Sequence, residues 1–386
     1  MKILMLNERD RTHPLAGGVE VHLDELAGRL AERHGIETTV LCSGYDGALP
    51  EETRNGVHYL RFGNRFSYYA KLPARARACW RTGEYDLVVE NLCKLLFFSQ
   101  LYLPRAPHLA LVHHLFGLSA FRQVPIPIAA YVALTESLLP VLYRRWPYVV
   151  VSPSTRDDLR ARFLPGDQIR VIPNGLDHAL YRRDESVEVE PGLVLFVGRL
   201  EYYKGVDVLL DAWESLARSR PDARLVLVGS GTAEADLRAR LKGRAHADSV
   251  HFEGFVSEEE KVRWLQRAEV LVQPSHKEGW GLTVLEANAC GTPVVATRVP
   301  GLQDSVQHGE TGLLVEGGDR EALAQAIGRI LADPSLRDHL VQGALEWADR
   351  FSWDAVADAF AVVLSAAARR ETLPEVPDFL APSDRV

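Results

Sequence analysis

The sequence has little of what marks several protein classes. Only four of its 386 residues are cysteines, and no two form a Cys-x-x-Cys pair, which argues against a disulfide framework and the common zinc sites. No segment has the roughly 18 uninterrupted apolar residues that a membrane-spanning helix needs. The most apolar stretch, Ile126 to Leu142, is interrupted by Pro127, Glu136 and Pro140. The chain also has no G-x-G-x-x-G dinucleotide fingerprint, no G-K-[ST] phosphate loop and no Asp-x-Asp metal-nucleotide motif.

Composition and charge are those of a globular protein with two unlike halves. Apolar residues make up 47% and charged residues 25%, which excludes a disordered or collagen-like chain. The net charge of −8 argues against nucleic acid as a partner, because general nucleic-acid binders are usually basic. Residues 1–180 carry 21 Lys and Arg against 18 Asp and Glu, whereas residues 181–386 carry 23 against 34. Two halves with different surfaces predict two domains.

The N-terminal segment and the cysteines bear on the compartment. The apolar run Met1–Leu6 is followed at once by Asn7 and Glu8, so it is too short for a signal peptide and is typical of a buried strand. Four scattered thiols fit a reducing compartment. We therefore expect a cytoplasmic protein, and the slightly basic first half leaves open a weak contact with the inner face of a membrane.

Short apolar runs alternate with helical periodicities along nearly the whole chain. One series begins with a strand at Lys2–Leu6, and a second begins with a strand at Leu193–Val197. This alternation predicts an α/β fold with two Rossmann-like, doubly wound parallel sheets. We place the domains at 1–180 and 181–355, because the segment 173–191 joins an Asn-Gly turn to a polar run. Such sheets bind ligands beyond the carboxyl ends of their strands, so we expect the domains to face a central cleft.

The segment most informative about chemistry is SHKEGWGLTVLEA, at residues 275–287. With a strand expected to end near Gln273 and a helix to begin near Gly281, Glu278 lies in the loop and Glu286 in the helix. Gly279 and Gly281 expose backbone amides at a helix N-terminus, where anionic or hydroxyl-rich ligands are favoured. The alternative is a glycine-rich turn that carries two solvated glutamates.

A pair of basic residues follows the expected strand Leu193–Val197. Arg199 and Lys204 lie in the loop before the next helix, and an arginine fork with a lysine point charge suits a diphosphate. The alternative is two ordinary surface cations.

Two further motifs follow strands of the first half. Gly17 and Gly18 lie at the turn from the first strand into the first helix, where phosphate-binding loops occur in open sheets. His113 and His114 directly follow the strand His108–Val112, so one of them is expected at the same edge. The alternatives are a plain turn and a structural histidine.

Two less specific features also lie in the first half. A basic and aromatic cluster could contact an anionic lipid or an acceptor, but we favour a solvated face with interleaved core aromatics. The cluster comprises Tyr68, Tyr69, Lys71, Arg75, Arg77, Trp80 and Arg81. Ser152, Ser154 and Thr155 lack the G-x-S-x-G surroundings of a nucleophile. We expect Ser154 to be a helix N-cap with Asp157 three residues on.

Together and in this order, the motifs resemble those of the retaining nucleotide-sugar glycosyltransferases of family 4, also called glycosyl transferases group 1, which have the GT-B fold. The resemblance covers nearly the whole chain and is densest from Asn174 to Val315. Besides the Glu-x7-Glu element, it rests on seven segments: PNGLD (173–177), VGR (197–199), KG (204–205), LVGSG (227–231), FEGFV (252–256), GTPVVA (291–296) and GETGLL (309–314). It also implies that a final helix, about 355–375, packs back on the first domain.

The resemblance implies a donor-binding second domain and an acceptor-binding first domain. In the second domain, Glu278 would bind hydroxyls of the donor sugar, Glu286 the ribose diol, and Arg199 and Lys204 the leaving diphosphate. Val256 would lie against the base, and backbone amides would assist at Gly279, Trp280, Gly281, Leu282 and Thr283.

In the first domain, the resemblance implies that Gly17 and Gly18 approach the same phosphates. His113 corresponds to a family histidine near the sugar. Because His114 follows directly, the assignment between the two stays open, and we favour His113.

The activity implied is transfer of a hexosyl group, of glucosyl, mannosyl or N-acetylglucosaminyl type, from a uridine or guanosine diphosphate sugar. The acceptor is a hydroxyl of a glycan, a lipid carrier or a small molecule, and the configuration is retained by reaction on one face. A basic pair at the diphosphate stabilises the leaving group, so neither a metal nor another cofactor is expected. The alternatives are another GT-B activity, such as a nucleotide-sugar epimerase, and a non-catalytic sugar-nucleotide-binding module.

Overall fold

The structure is a computed structural model, and it describes residues 1–64, 66–92, 95–117, 121 and 126–381. The chain divides into two compact units. The first unit comprises Met1–Gly175 and the residues from Trp353 onward, and the second unit comprises Leu176–Ser352. Among the described residues, no helix combines the length and the apolar character needed to cross a membrane.

The first unit is built on an eight-stranded sheet in the order β3-β4-β2-β1-β5-β6-β7-β8. Neighbouring strands are parallel except β3 and β4, which pair antiparallel at one edge. The strands are β1 (Lys2–Leu6), β2 (Glu37–Ser43), β3 (Glu51–Arg54), β4 (Val57–Phe62), β5 (Leu87–Leu92), β6 (His108–Val112), β7 (Tyr148–Val150) and β8 (Ile169–Val171). The helices are α1 (Gly18–His34), α2 (Tyr68–Trp80), α3 (Ile126–Ser137), α4 (Leu139–Leu142), α5 (Pro153–Ala161) and, from the end of the chain, α13 (Trp353–Arg369).

The second unit is built on a six-stranded parallel sheet in the order β11-β10-β9-β12-β13-β14. The strands are β9 (Leu193–Val197), β10 (Arg224–Val228), β11 (Val250–Gly254), β12 (Val270–Gln273), β13 (Val294–Thr297) and β14 (Gly312–Val315). The helices are α6 (Val206–Ser219), α7 (Glu234–Leu241), α8 (Glu258–Arg267), α9 (Leu282–Ala289), α10 (Leu302–Ser305), α11 (Arg320–Ala332) and α12 (Pro334–Ala348).

The central strands show why the sequence folds in this way. All five residues of β9, Leu-Val-Leu-Phe-Val, are buried, as expected for a parallel strand that is covered on both faces. Helix α6 adds Leu209, Trp213 and Leu216 to the core that contains Phe196 of β9. Both unit cores therefore form around continuous apolar strands, and the strand ends are left for polar residues.

Helix α13 packs on α1 within the first unit. Arg29 of α1 pairs with Asp354 at 3.2 Å, and Arg33 pairs with Asp358 at 2.9 Å. Phe360 of α13 is buried, with its ring at 88° to that of His22. The end of the chain thus completes one face of the first sheet.

The units divide five residues before the predicted domain boundary at 180/181, and the returning segment begins at Trp353 rather than near 355. The difference arises because the polar run before β9 packs on the second unit. Tyr181 is buried there, and its hydroxyl donates to Glu258. Glu190 pairs with Arg224 and Arg267.

Helix α5 begins earlier than the sequence suggested. Its N-cap is Ser152, whose Oγ accepts a hydrogen bond from the Thr155 amide at 3.1 Å, so the expectation for Ser154 was wrong. Pro153 takes the first helical position, where its fixed φ and missing N–H fit. Cys42, Cys79 and Cys290 are free thiols, whereas Cys93 lies outside the described residues.

The basic and aromatic cluster forms α2. Tyr68 is fully buried and donates its hydroxyl to the carbonyls of Asn7 and Leu41. The cations Lys71, Arg75, Arg77 and Arg81 are exposed. The aromatic residues of the cluster therefore face the sheet, and its cations face the solvent.

Candidate functional site

The second sheet has one point where the strand order reverses. From β9 the chain goes to β10 on one side, whereas β12 pairs on the other side. Open α/β sheets bind ligands at the carboxyl ends of the strands that flank such a point. Arg199 and Lys204 follow β9, and Glu278 follows β12. The residues predicted from sequence therefore meet at the expected binding edge.

Lys204 and Glu278 form an ion pair at this edge. Lys204 Nζ lies 2.5 Å from Glu278 Oε1, and both side chains are 15% exposed. Ser275 Oγ donates to the same oxygen at 2.8 Å. Burial is the largest effect and lowers the pKa of Lys204, but the charges of Glu278 and Tyr203 and the hydrogen bond to Glu278 together outweigh it. The pKa is therefore raised, and the lysine stays protonated. Among the described residues Glu278 Oε2 has no hydrogen-bond partner, so this oxygen can accept from a ligand hydroxyl.

Gly205 allows the loops after β9 and β12 to approach each other. Its φ of +67° is in the left-handed region, and a Cβ there would overlap the carbonyl oxygen of Pro274. Lys204 is held in a short turn, Tyr202–Lys204, immediately before this glycine and α6. The backbone thus fixes the start of the lysine side chain.

Arg199 is more open to solvent than Lys204. It follows Gly198 at the end of β9, is exposed, and donates from Nη2 to the Tyr203 hydroxyl at 3.0 Å. Its guanidinium therefore lies on the loop that also carries Lys204, and together the two form the basic pair of this edge.

Glu286 has partners that the sequence analysis missed. Lys261 of α8 lies 3.2 Å from Glu286 Oε1 and 2.9 Å from Glu258. Burial lowers the pKa of Lys261, but Glu286 and Glu258 together raise it by more, so the net shift is upward. Burial and the carboxylates raise the pKa of Tyr181. No local signal marks Lys261, because its contact with Glu286 joins residues 25 positions apart.

The N-terminus of α9 presents backbone rather than side chains. Gly281 is the N-cap, with a φ of +97°, and the following amides of Leu282 and Thr283 belong to the helical turn that has no internal acceptors. Trp280 is 2% exposed and packs on Phe351, so its indole belongs to the core and only its backbone can serve a ligand. Gly279 is half-buried beside it.

The end of β11 carries an exposed aromatic residue. Val256 is half-buried, and its neighbour Phe255 is 87% exposed. Phe66 and Phe163 are nearly as exposed, so it is the position of Phe255 beside Val256 that links it to the site. Phe255 was not among the residues predicted from sequence, although its position directly after Gly254 was an available signal.

The first sheet reverses its strand order between β1 and β5. At this point Asn91 Nδ2 donates to Asn7 Oδ1 at 2.6 Å. Asn91 Oδ1 therefore faces His113 Nδ1 at 3.1 Å, which assigns the ring proton to Nδ1, and His113 Nε2 faces His22 Nδ1 at 3.2 Å. Burial lowers the pKa of His113 well below its ordinary value and that of His22 to about 4. His113 is thus a neutral, hydrogen-bonded ring.

The neighbouring segments of this edge are also held in place. His114 is half-buried with its ring against Phe116, and the Phe116 and Gly117 amides donate to Glu136, each at 2.7 Å. Gly17 is the N-cap of α1, and its amide donates to Glu20 at 2.7 Å, while Gly18 is exposed. Gly18 is therefore the more open of the two glycines.

The predicted residues thus form two sets. Gly17, Gly18 and His113 belong to the first unit, and the remaining predicted residues belong to the second. Within the described ranges, no group of three or more His, Cys, Asp or Glu side chains is arranged to hold a metal ion.

Comparison with known proteins agrees with these motifs. The model of Glycosyltransferase Family 4 matches residues 16–180, and that of Glycosyl transferases group 1 matches residues 177–347. A D-inositol 3-phosphate glycosyltransferase from Streptomyces scabiei is 30% identical over 91% of this chain and 87% of its own. Another, from Acidothermus cellulolyticus, is 41% identical, but the match spans 53% of this chain and about half, 50%, of the relative.

Among solved structures, the sucrose-phosphate synthase from Thermosynechococcus elongatus superposes with a TM-score of 0.79 and 27% identity. The match covers 93% of this chain and 97% of that one. Two parallel-sheet units, both family models and a relative matched over most of its length lead to one conclusion: the chain belongs to glycosyltransferase family 4, has the GT-B fold and is a glycosyltransferase.

Proposed function

We propose that the chain transfers a hexosyl group from a nucleoside-diphosphate sugar to a hydroxyl acceptor with retention of configuration. The observation that supports this most directly is the Lys204–Glu278 pair at the point of strand reversal in the second unit. One partner offers positive charge to a phosphate, and the other offers a carboxylate oxygen to a sugar hydroxyl.

The second unit binds the donor in this proposal. Arg199 and Lys204 stabilise the charge that develops on the diphosphate as the anomeric bond breaks. Glu278 Oε2 accepts a hydrogen bond from a sugar hydroxyl, and the backbone amides from Gly279 to Thr283 donate to the sugar. Glu286, oriented by Lys261, holds the ribose diol. The base lies on Val256, and the exposed ring of Phe255 offers it a stacking surface.

The first unit contributes acceptor binding and positioning. Gly18, exposed at the start of α1, approaches the phosphates. His113, neutral and hydrogen-bonded at both ring nitrogens, positions the sugar side of the site rather than transferring a proton. Because the basic pair carries the leaving-group charge, the reaction proceeds without a metal or other cofactor, and the leaving phosphate assists deprotonation of the acceptor.

A small polyhydroxylated molecule is the acceptor we propose. The names of the two relatives specify transfer to D-inositol 3-phosphate, and the name of the structural neighbour specifies formation of sucrose phosphate. A growing glycan and a lipid carrier are the alternatives that an acceptor screen distinguishes.

A weak membrane contact through the first unit is also proposed. Helix α3 exposes Ile126, Tyr131 and Leu134, and its one charged residue, Glu136, is buried. Arg144 and Arg145 are exposed shortly after it. An apolar helix face followed by cations fits the interface of an anionic bilayer.

The test is hydrolysis of nucleotide sugars by the full chain, with water as the acceptor. Lys204→Ala and Arg199→Ala each remove one charge from the leaving-group site, so we expect turnover to fall by about 100-fold. Lys242→Ala removes an exposed lysine elsewhere in the second unit and should leave turnover unchanged. Thermal unfolding of each variant verifies that the fold is retained.

Four outcomes would contradict the proposal. If the turnover of Lys204→Ala stays within about twofold of wild type, the basic pair does not stabilise the leaving group. Loss of activity on treatment with EDTA would show a metal requirement. Binding without any hydrolysis or transfer would favour the non-catalytic module, and an epimerised nucleotide sugar as product would favour the epimerase.

A further inference from the structure

The first unit has a cavity of about 640 Å³, whose lining shares no residue with the candidate functional site but includes Lys71 and Arg75 of the basic and aromatic cluster. It is formed between the end of β4 at Arg61–Gly63 and one face of α2, which contributes Ala70, Lys71, Ala74 and Arg75. Strand β4 is parallel to β2, and β2 is parallel to β1. The cavity therefore lies at the carboxyl edge of the sheet, where ligands of such sheets bind.

The backbone at the end of β4 requires glycine. Gly63 has a φ of +67°, and a Cβ there would lie 2.9 Å from Ser67 Oγ and 3.0 Å from the Tyr68 amide. The chain can therefore turn directly from β4 into α2. On α2 the residues facing the cavity include two alanines, which leave room between the helix and the strand end.

The cavity is lined by cations and lacks a lining carboxylate. Arg61 is buried and already paired with Asp10 at 2.5 Å and Glu52 at 2.6 Å. Lys71 and Arg75 are exposed, and in the described part of the chain neither has a carboxylate within 4.0 Å; Arg75 lies 5.9 Å over the Phe62 ring. The uncompensated charge of the cavity is thus that of Lys71 and Arg75, which are one helical turn apart.

The sequence around this cavity strengthens the local field. From Thr53 to Gly83 there are seven Lys and Arg residues and not one Asp or Glu. A chain with a net charge of −8 thus concentrates positive charge at one edge of its first unit. A lone exposed cation would be ordinary, but two on one cavity wall in an acid-free segment favour an anion.

We propose that this cavity binds a phosphate group carried by the acceptor. An arginine fork and a lysine point charge match a phosphate monoester, which carries close to two negative charges at neutral pH. The Phe62 ring and the two alanines offer apolar surface to the carbon skeleton, and the volume is that of a small-molecule site. This inference rests on the proposed function, because it names the acceptor class for the same transfer reaction.

The test measures binding of glucose 6-phosphate, glucose and inorganic phosphate to the full chain by calorimetry. The background carries Arg199→Gln and Lys204→Gln, which remove the proposed anion site of the second unit. In this background we expect glucose 6-phosphate to bind at least about tenfold more tightly than glucose, since charge-assisted hydrogen bonds are strong. Lys71→Gln with Arg75→Gln should weaken that binding by about tenfold or more.

A matched control separates local recognition from net charge. Arg81 and Arg105 are exposed cations of the same unit outside the cavity lining. The pair Arg81→Gln with Arg105→Gln should change the affinity by less than about twofold, although it removes the same charge. Thermal unfolding of both double variants verifies that their folds are intact.

Vesicles distinguish the source of the phosphate. The vesicle measurements use a background with Ile126→Gln and Leu134→Gln, which removes exposed apolar side chains of the proposed α3 contact. If a phospholipid headgroup is the natural ligand, phosphatidic acid vesicles in this background lose binding on Lys71→Gln with Arg75→Gln, while glucose 6-phosphate does not bind. If a soluble phosphate is the ligand, glucose 6-phosphate shows the loss. Either pattern supports the phosphate site.

Equal binding by the background and the Lys71, Arg75 variant, or no binding of any phosphate probe, overturns the inference. Binding of a nucleoside diphosphate to the chain with intact Arg199 and Lys204 is measured separately. Its failure would count against the proposed function alone.

Discussion

At the scale of single residues, burial acts in opposite directions on two groups of the first unit. Burial raises the pKa of Glu90 to about 7, although the Ser99 amide and the Tyr143 hydroxyl donate to its two oxygens at 2.6 and 2.9 Å. Burial lowers the pKa values of His22 and His113. Acidification therefore stabilises the folded state through Glu90 and destabilises it through the histidines.

The sign for Glu90 follows from proton binding. Between the ordinary pKa of 4.5 and about 7, the folded chain holds the proton of Glu90 more tightly than the unfolded chain does. The free energy of unfolding from this group thus falls as the pH rises through that window, by up to about 3 kcal/mol. For His22 the unfolded chain binds the proton more tightly between about 4 and 6.5, so its contribution rises with pH.

We predict that Glu90→Gln removes one of these opposing effects. Relative to wild type, the variant should gain stability as the pH rises from 5 to 8, by up to about 3 kcal/mol. Urea unfolding at several pH values measures the difference. Glu32→Gln, at an exposed position of the same unit, should follow the wild-type pH dependence; the same pH dependence in Glu90→Gln would show that Glu90 is ionised normally.

Some residues of the candidate site could be predicted from the sequence, whereas others were found only in the structure. Glu278 and Lys204 could be found from sequence, because each follows a strand in a recognisable loop motif. Lys261 and Tyr181 could not, since they reach Glu286 and Glu258 across the fold from α8 and from a polar segment that was expected to be a linker. Side-chain partners of this kind depend on packing and leave no local pattern.

At the scale of elements, α13 shows which interactions hold a helix in place. Its ion pairs with Arg29 and Arg33 lie at the surface, where water and salt screen the charges and such pairs contribute little to stability. Its apolar face is buried, with Phe360 only 1% exposed. Burial should therefore dominate the attachment of α13 to α1.

We predict that Phe360→Ala destabilises this contact by about 3 to 5 kcal/mol, because it leaves a cavity. Asp358→Asn should cost less than about 1 kcal/mol. Hydrogen exchange of the α1 amides measures the local free energy of opening in both variants. A larger effect from Asp358→Asn would mean that charge rather than burial holds the helix.

Elements with strong periodicity were the ones that the sequence predicted. Strand β9 has the bounds that the sequence predicted, Leu193–Val197, because its five residues form a continuous apolar run. The short edge strand β3, Glu-Glu-Thr-Arg, carries no apolar residue, and only its pairing with β4 makes it a strand. Helix α2 was noticed for its charges and not for its helical spacing.

At the scale of the whole molecule, the net charge of each half does not indicate which ligand that half binds, because local groups of charged residues differ from the average. The acidic second half carries the basic pair of the proposed donor site, so its net charge says little about the ligand there. The first half combines the acid-free segment around α2 with the uncharged exposed face of α3. Both features belong to the unit proposed to receive the acceptor.

We predict that the chain binds phosphatidylglycerol vesicles through α3 in a sedimentation assay. Ile126→Gln with Leu134→Gln replaces two apolar side chains that are 72% and 63% exposed, and should weaken binding by about tenfold or more. Leu49→Gln with Val362→Gln alters exposed apolar residues elsewhere in the same unit and should have little effect. Unchanged binding by the α3 variant, or no binding by wild type, would exclude this contact.

The sequence by itself determined the two α/β units, most strand positions and the residues of the loops after β9 and β12. It could do so because buried strands, glycine turns and charged loop residues are local patterns. Only the tertiary structure decided where the units divide, which side chains hold Glu286 and that His113 is a neutral, buried ring. It also showed that the end of β4 and one face of α2 form an open cavity lined by cations, because the shape of a cavity depends on how two elements pack.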